Sequence, residues 1–206
     1  MAGAMALTGT IAALAQPVMA EEPTILLYGD SLLAGLGLSA DESLMGQLQA
    51  AMDARGIEAT LVNASVSGDT TADGLARLDW TLGDAPDAVM LGLGANDMLQ
   101  GLPAADARAN LEAILARLEA LDLPVLLLGM KANRGLGAGY VDAFDAIYPE
   151  LAREHGALLY PFFLEGVALD PALNQPDRLH PNAKGVATIV AGMMPLVEQL
   201  VQSIGP

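Results

Sequence analysis

The sequence predicts an α/β fold, an open, doubly wound sheet of parallel strands with helices on both faces. Short aliphatic runs recur along the chain and alternate with longer segments of helical spacing. The runs are nearly uninterrupted, as expected of parallel strands covered on both faces. No internal repeat or low-complexity linker breaks the alternation, so the units belong to one sheet.

The first strand candidate, 24–28, stops at Gly29. A helix over 43–55 follows and ends at Gly56, a residue suited to the left-handed position just past a helix. The second strand, 59–64, leads into a helix over 71–82, and the third, 88–93, into one over 104–121. In that last helix Ala107, Leu111, Ile114, Leu115 and Leu118 share one stripe, with Arg108, Glu112 and Glu119 opposite. The fourth strand, 125–130, precedes a helix over 140–155 closed by Gly156. The fifth, 157–160, precedes a helix over 182–201, with Pro181 suited to its first position. Right-handed crossovers between five such units make a flavodoxin-like three-layer αβα sandwich, strand order 2-1-3-4-5, the simplest architecture.

The 206 residues suit a single domain, and 53% hydrophobic with 17% charged residues excludes intrinsic disorder. The absence of cysteine excludes disulfide frameworks, iron–sulfur clusters, thiolate zinc and a thiol nucleophile. Nine basic residues against 25 acidic give a net charge of -16, which opposes nucleic acid as a partner and stable docking on anionic membranes. Scattered as they are, the acids read as a solvated surface.

Residues 1–20 carry no charged side chain and are almost wholly apolar from Ala4 to Ala15, ending in Pro17-Val18-Met19-Ala20. The stretch resembles a secretory signal peptide cleaved after Ala20, although no Lys or Arg precedes its apolar run. It is short for a membrane span of about 20 apolar residues. The expectation is a periplasmic or secreted protein with one domain over 21–206.

In open α/β sheets, ligands bind outside the carboxyl ends of the strands. The residues there are Gly29-Asp30-Ser31-Leu32, Ser67-Gly68-Asp69, Gly94-Ala95-Asn96-Asp97 and the loop 164–181. Ser31 alone reads as a helix cap; as a nucleophile its hydroxyl needs a base beside it. The chain has two histidines. His155 closes a helix, where a cation suits the dipole, and is read as structural. His180 lies in a polar loop before the final helix and is the candidate base. Asp177, three residues earlier, can orient its ring and fix the tautomer, with Asp170 as the alternative. Oxyanion donors are available from the backbone of Ser31 and Gly68 and the side-chain amide of Asn96.

These four blocks, ending in Asp177-Arg178-Leu179-His180, resemble those of the SGNH, or GDSL, hydrolases in order and spacing. Ala143-Phe144-Asp145-Ala146-Ile147-Tyr148-Pro149 and Tyr160-Pro161-Phe162-Phe163-Leu164 resemble the arylesterase, acyl-CoA thioesterase and lysophospholipase branch. The resemblance covers about residues 24–200. It implies a Ser31–His180–Asp177 triad and an oxyanion hole from Ser31, Gly68 and Asn96. It also implies a monomer with no cofactor and no metal. Asp30 and Asp97 are expected to brace their loops. Two departures stand out. Arg178 replaces the glycine usual in the last block, so its side chain is expected to narrow the site or pair with nearby acids. The loop 131–140 lacks the family's Pro-Asn-Tyr-Gly pattern and is slightly longer, so substrate preference does not carry over.

The expected reaction is hydrolysis of small-molecule esters and thioesters through an acyl-enzyme on Ser31. Met98, Leu99, Leu102 and Leu136 lean toward acyl chains. A carbohydrate-ester deacetylase of the same fold is the alternative, and a phosphate-binding flavodoxin-like module the remote one. Asp30, Asp69 and Asp97, with no nearby Lys, oppose the latter.

Overall fold

The computed structural model describes residues 22–205. Strands β1 (Thr24–Gly29), β2 (Thr60–Asn63), β3 (Ala88–Gly92), β4 (Val125–Leu128) and β5 (Leu158–Tyr160) form one parallel sheet, ordered β2-β1-β3-β4-β5. This is the expected topology. β1 is central to the site-bearing edge: Ile25 sits beside Leu61 of β2 on one side and Ala88 of β3 on the other. Residues 1–20, read as a signal peptide, lie outside the described residues.

β3 and β4 are buried throughout, as their aliphatic runs require. β2 departs from the expectation of cover on both faces. Leu61 is buried while Thr60 and Val62 are exposed, because β2 is an edge strand and one of its faces is left partly open.

Among the described residues, seven α-helices accompany the sheet: α1 (Ser31–Ala34), α2 (Leu44–Asp53), α3 (Thr71–Thr81), α4 (Ala95–Leu99), α5 (Ala104–Glu119), α6 (Ala138–Glu154) and α7 (Ala183–Ser203). α2 packs with α7 in one layer, and α5 packs between α3 and α6 in the other. The α5 stripe is buried as its spacing predicts, from Ala107 through Leu118. Gly56 and Gly156 both take the left-handed conformation expected just past a helix. α7 is apolar enough to cross a membrane by length and hydropathy alone. Here its stripe of Val186, Ile189, Val190, Met193, Val197 and Leu200 is buried in the domain.

The final helix starts differently from the expectation. Asn182 is its cap, accepting from the N–H groups of Lys184 and Gly185, so Pro181 lies ahead of the helix rather than at its first position. A side-chain amide oxygen that satisfies two orphan donors is the better start signal. The one-turn helices α1 and α4 are absent from the sequence reading. Each follows a strand directly and lifts a polar residue to the sheet edge.

Candidate active site

Ser31 is the first residue of α1, and Asp30 takes the cap, accepting the Leu32 N–H at 3.0 Å. The Ser31 hydroxyl is therefore released from capping. Its Oγ lies 2.8 Å from Nε2 of His180, 149 residues away in sequence. Nδ1 of His180 meets the Asp177 carboxylate at 2.7 Å. The other carboxylate oxygen of Asp177 accepts the backbone N–H groups of Leu179 and His180, at 2.9 and 3.1 Å. These contacts, the Leu179 N–H foremost and the His180 ring next, hold the Asp177 carboxyl down at about 2. Asp170 does not reach the ring; its carboxylate accepts the Ala172 N–H in a local turn. His155 closes α6 and contacts Glu119 at 2.8 Å, away from this edge, as its structural reading requires.

The three expected oxyanion donors converge on the same side. Among the described residues, neither the Ser31 nor the Gly68 backbone N–H has an acceptor in the chain. Gly68 has φ +94°, and nothing lies within 4 Å of where a Cβ would stand, so the backbone conformation rather than crowding calls for glycine. Asn96, in α4, donates its amide to the Asp69 carbonyl at 2.8 Å and more loosely to Asp30 at 3.4 Å. One of its two amide hydrogens is thus firmly held, and the other is weakly engaged.

Behind these donors lie buried carboxylates. Asp97 accepts from the N–H and hydroxyl of Thr71 at 2.8 and 2.6 Å, tying α4 to the start of α3. Asp30 is 1% exposed. Burial raises its carboxyl to about 6 against the opposing pull of the Leu32 N–H. Asp69 is not the uncompensated charge the sequence reading implied. Arg77 of α3, a residue that reading passed over, holds it at 2.6 Å and lies 4.1 Å over the Tyr28 ring. The same guanidinium donates to the carbonyls of Ala64 and Gly29, at 2.7 and 3.2 Å.

Ser31, Gly68, Asn96 and His180 open into a cleft of about 340 Å³ whose other walls are largely apolar. Met98 and Leu99 line it as expected; Leu36, Met130, Leu164 and Leu179 join them. Leu102 and Leu136 are not among the lining residues: Leu102 follows the turn that ends α4, and Leu136 is exposed on its own loop. Arg178 neither narrows this cleft nor pairs with an acid among the described residues. Its backbone sits at φ +60°, which directs the chain between Asp177 and His180 and places Arg178 on a neighbouring groove.

The profile of the GDSL-like lipase/acylhydrolase family matches residues 27–187, which include every site residue named above. The chain belongs to this family. Esterase TesA of Pseudomonas aeruginosa is 35% identical over 198 residues, spanning 96% of this chain and 98% of that one. Thioesterase 1/protease 1/lysophospholipase L1 of Escherichia coli K12 is 38% identical over 179 residues, 86% and 85% of the two chains. The crystal structure of AlinE4, an SGNH-hydrolase family esterase, superposes with a TM-score of 0.74 at 46% identity, covering 88% of this chain and 97% of its own. As a family member of this kind, the chain is a serine esterase of the SGNH type.

Proposed function

We propose that the protein cleaves carboxylic esters and thioesters through an acyl-enzyme on Ser31. The continuous contact Ser31–His180–Asp177, at 2.8 and 2.7 Å and opening on an apolar cleft, is the observation that carries this reading. His180 takes the Ser31 proton through Nε2 as Oγ attacks the carbonyl carbon. Asp177, ionised far below neutral pH, holds Nδ1 and stabilises the imidazolium. The N–H groups of Ser31 and Gly68 and the Asn96 amide receive the negative charge on the carbonyl oxygen. Collapse passes the proton from Nε2 to the leaving alcohol or thiol. A water deprotonated by Nε2 then releases the acid and restores Ser31.

The apolar walls support an acyl chain in the cleft, and the esterase and thioesterase names of the relatives point the same way. The test is fluorophosphonate labelling together with a chain-length series of p-nitrophenyl and CoA esters. Labelling at Ser31, its loss in Ser31→Ala and a preference for chains longer than acetyl are expected. Undiminished hydrolysis by Ser31→Ala overturns the mechanism, and exclusive activity on acetylated sugars overturns the substrate class. We further read residues 1–20 as an export signal that places the enzyme in the periplasm or outside the cell. A mature chain that begins at Met1 in its native host overturns that reading.

A further inference from the structure

The cleft at Ser31 continues into a second groove of about 410 Å³. The two share Met98, Met130, Leu164 and Leu179, so a single extended ligand can pass from one into the other over common apolar side chains. The charge of the second groove inverts that of the molecule. The chain carries 25 acidic and nine basic residues, yet Lys131, Arg134 and Arg178 all line this groove and no Asp or Glu does.

These cations are largely unneutralised. Among the described residues Lys131 and Arg178 have no carboxylate partner, and Lys131 rests over the Phe162 ring at 5.1 Å. Arg134 has a loose contact with Asp145 at 3.5 Å and is mostly exposed. Arg178 is the most telling. It holds a left-handed backbone, which disfavours any residue with a Cβ, and its side chain has no ion-pair partner among the described residues. Its neighbour Leu179 lines both cavities, so a ligand group at the guanidinium can belong to an ester that reaches Ser31.

We propose that this groove is an anion-selecting subsite, in which Lys131, Arg134 and Arg178 recognise a carboxylate or phosphate carried by the ester itself. The inference rests on the serine-hydrolase reading above and adds the charge of the substrate to it. It runs against the protein's global field. A net charge of -16 repels anions from the surface, so without the groove a neutral ester is the better substrate at low salt.

The experiment compares kcat/KM for anionic esters with that for neutral esters of matched length, in two arms. In one arm the anion is on the acyl side, in p-nitrophenyl monoesters of adipic and longer dicarboxylic acids. In the other it is on the leaving side, in 4-acyloxybenzoates against their methyl esters. The anionic-to-neutral ratio is expected to exceed one in at least one arm, which identifies the side that enters the groove. It is expected to fall about two- to five-fold in Arg178→Gln and again in Lys131→Gln, the range for exposed charge pairs. Arg178→Lys restores it, and about 1 M salt, where screening is complete within about 3 Å, removes it. Arg55→Gln makes the same change of net charge at the Glu198 contact and leaves the ratio alone. A ratio at or below one in both arms, or one indifferent to both groove variants, overturns the subsite. Because each variant is scored as a ratio, partial misfolding does not mimic the result. Loss of all hydrolysis in Ser31→Ala with an indifferent ratio fails this inference alone; hydrolysis surviving in Ser31→Ala fails the reading beneath it.

Discussion

Arg77 and Asp69 meet at 2.6 Å immediately behind the oxyanion donors, with side chains only 19% and 11% exposed. The pair joins α3 to the segment that carries Gly68, and the same guanidinium reaches the carbonyl of Gly29, next to the nucleophile's loop. Removing one partner of a largely buried pair leaves the other charge stranded. Arg77→Met is therefore expected to destabilise the fold by about 2–4 kcal/mol. With the Gly68 N–H acting on the transition state as proposed, kcat is expected to fall by more than KM rises. Arg77→Lys supplies a point charge without the guanidinium fork and recovers the stability only in part. Urea unfolding and steady-state kinetics on both variants check this; a KM-only defect counts against a positioning role.

Asp177 is held by two backbone N–H groups and the His180 ring, and its carboxyl stays ionised down to about 2. The acid side of the kcat/KM profile is thus expected to show no limb near the ordinary aspartate value of about 3.9. Asp177→Asn retains the shape but reverses the ring's hydrogen-bond polarity, and kcat is expected to drop by up to about 10⁴. A loss below about tenfold assigns the orienting role elsewhere.

Asn96→Ala removes one proposed oxyanion donor together with the link to the Asp69 carbonyl. The expected loss is about 10²–10³ in kcat, with about 1 kcal/mol of stability. An acyl-enzyme burst monitored by stopped flow locates the loss in the acylation step.

Asp30 titrates inside the fold. The rise from 3.8 to about 6 means that ionising it costs the native state about 3 kcal/mol relative to the unfolded chain. Between those values the native state holds a proton the unfolded state has lost. This group's stabilising contribution is complete below about pH 4, falls as pH rises and is gone above about pH 6. Asp30→Asn keeps a good cap. Its stability relative to the native sequence is expected to improve by about 3 kcal/mol between about pH 4 and about pH 7. Urea midpoints measured across that interval decide it, and parallel curves for the two proteins contradict it.

At φ +60°, Arg178 pays for its position in backbone strain. Glycine relieves about 1–2 kcal/mol of it and returns part through the greater entropy of the unfolded chain. Arg178→Gly is expected to stabilise the protein by about 0.5–1 kcal/mol. A lower urea midpoint in the variant rules the strain argument out.

The sheet was readable because buried parallel strands such as Val125–Leu128 leave continuous aliphatic runs. α1 and α4 were not, since helices of four and five residues contain too few turns to show a period. Ser31, Gly68, Asn96, Asp177 and His180 could be found from the strand ends, where topology confines polar chemistry. Arg77 could not. On α3 it resembles any solvated helix charge, and its partners lie in the β2–α3 connection (Ala64 and Asp69) and at the end of β1 (Gly29). Arg178 likewise lies far in sequence from Lys131 and Arg134, and the three line one groove only through the fold.

The hydrogen bonds that hold Asp177 to His180 all arise within residues 177–180, whereas Ser31 comes 149 residues earlier in the sequence. In the proposed triad, base and orienter therefore form a cartridge whose internal alignment is set locally, and one long-range contact, Ser31 to His180, completes the relay. Hydrolysis then reports whether Ser31 and the 177–180 loop are in register, which helix or sheet content alone does not reveal. The same modularity lets side chains on the groove change around the cartridge while the proton relay inside it keeps its alignment.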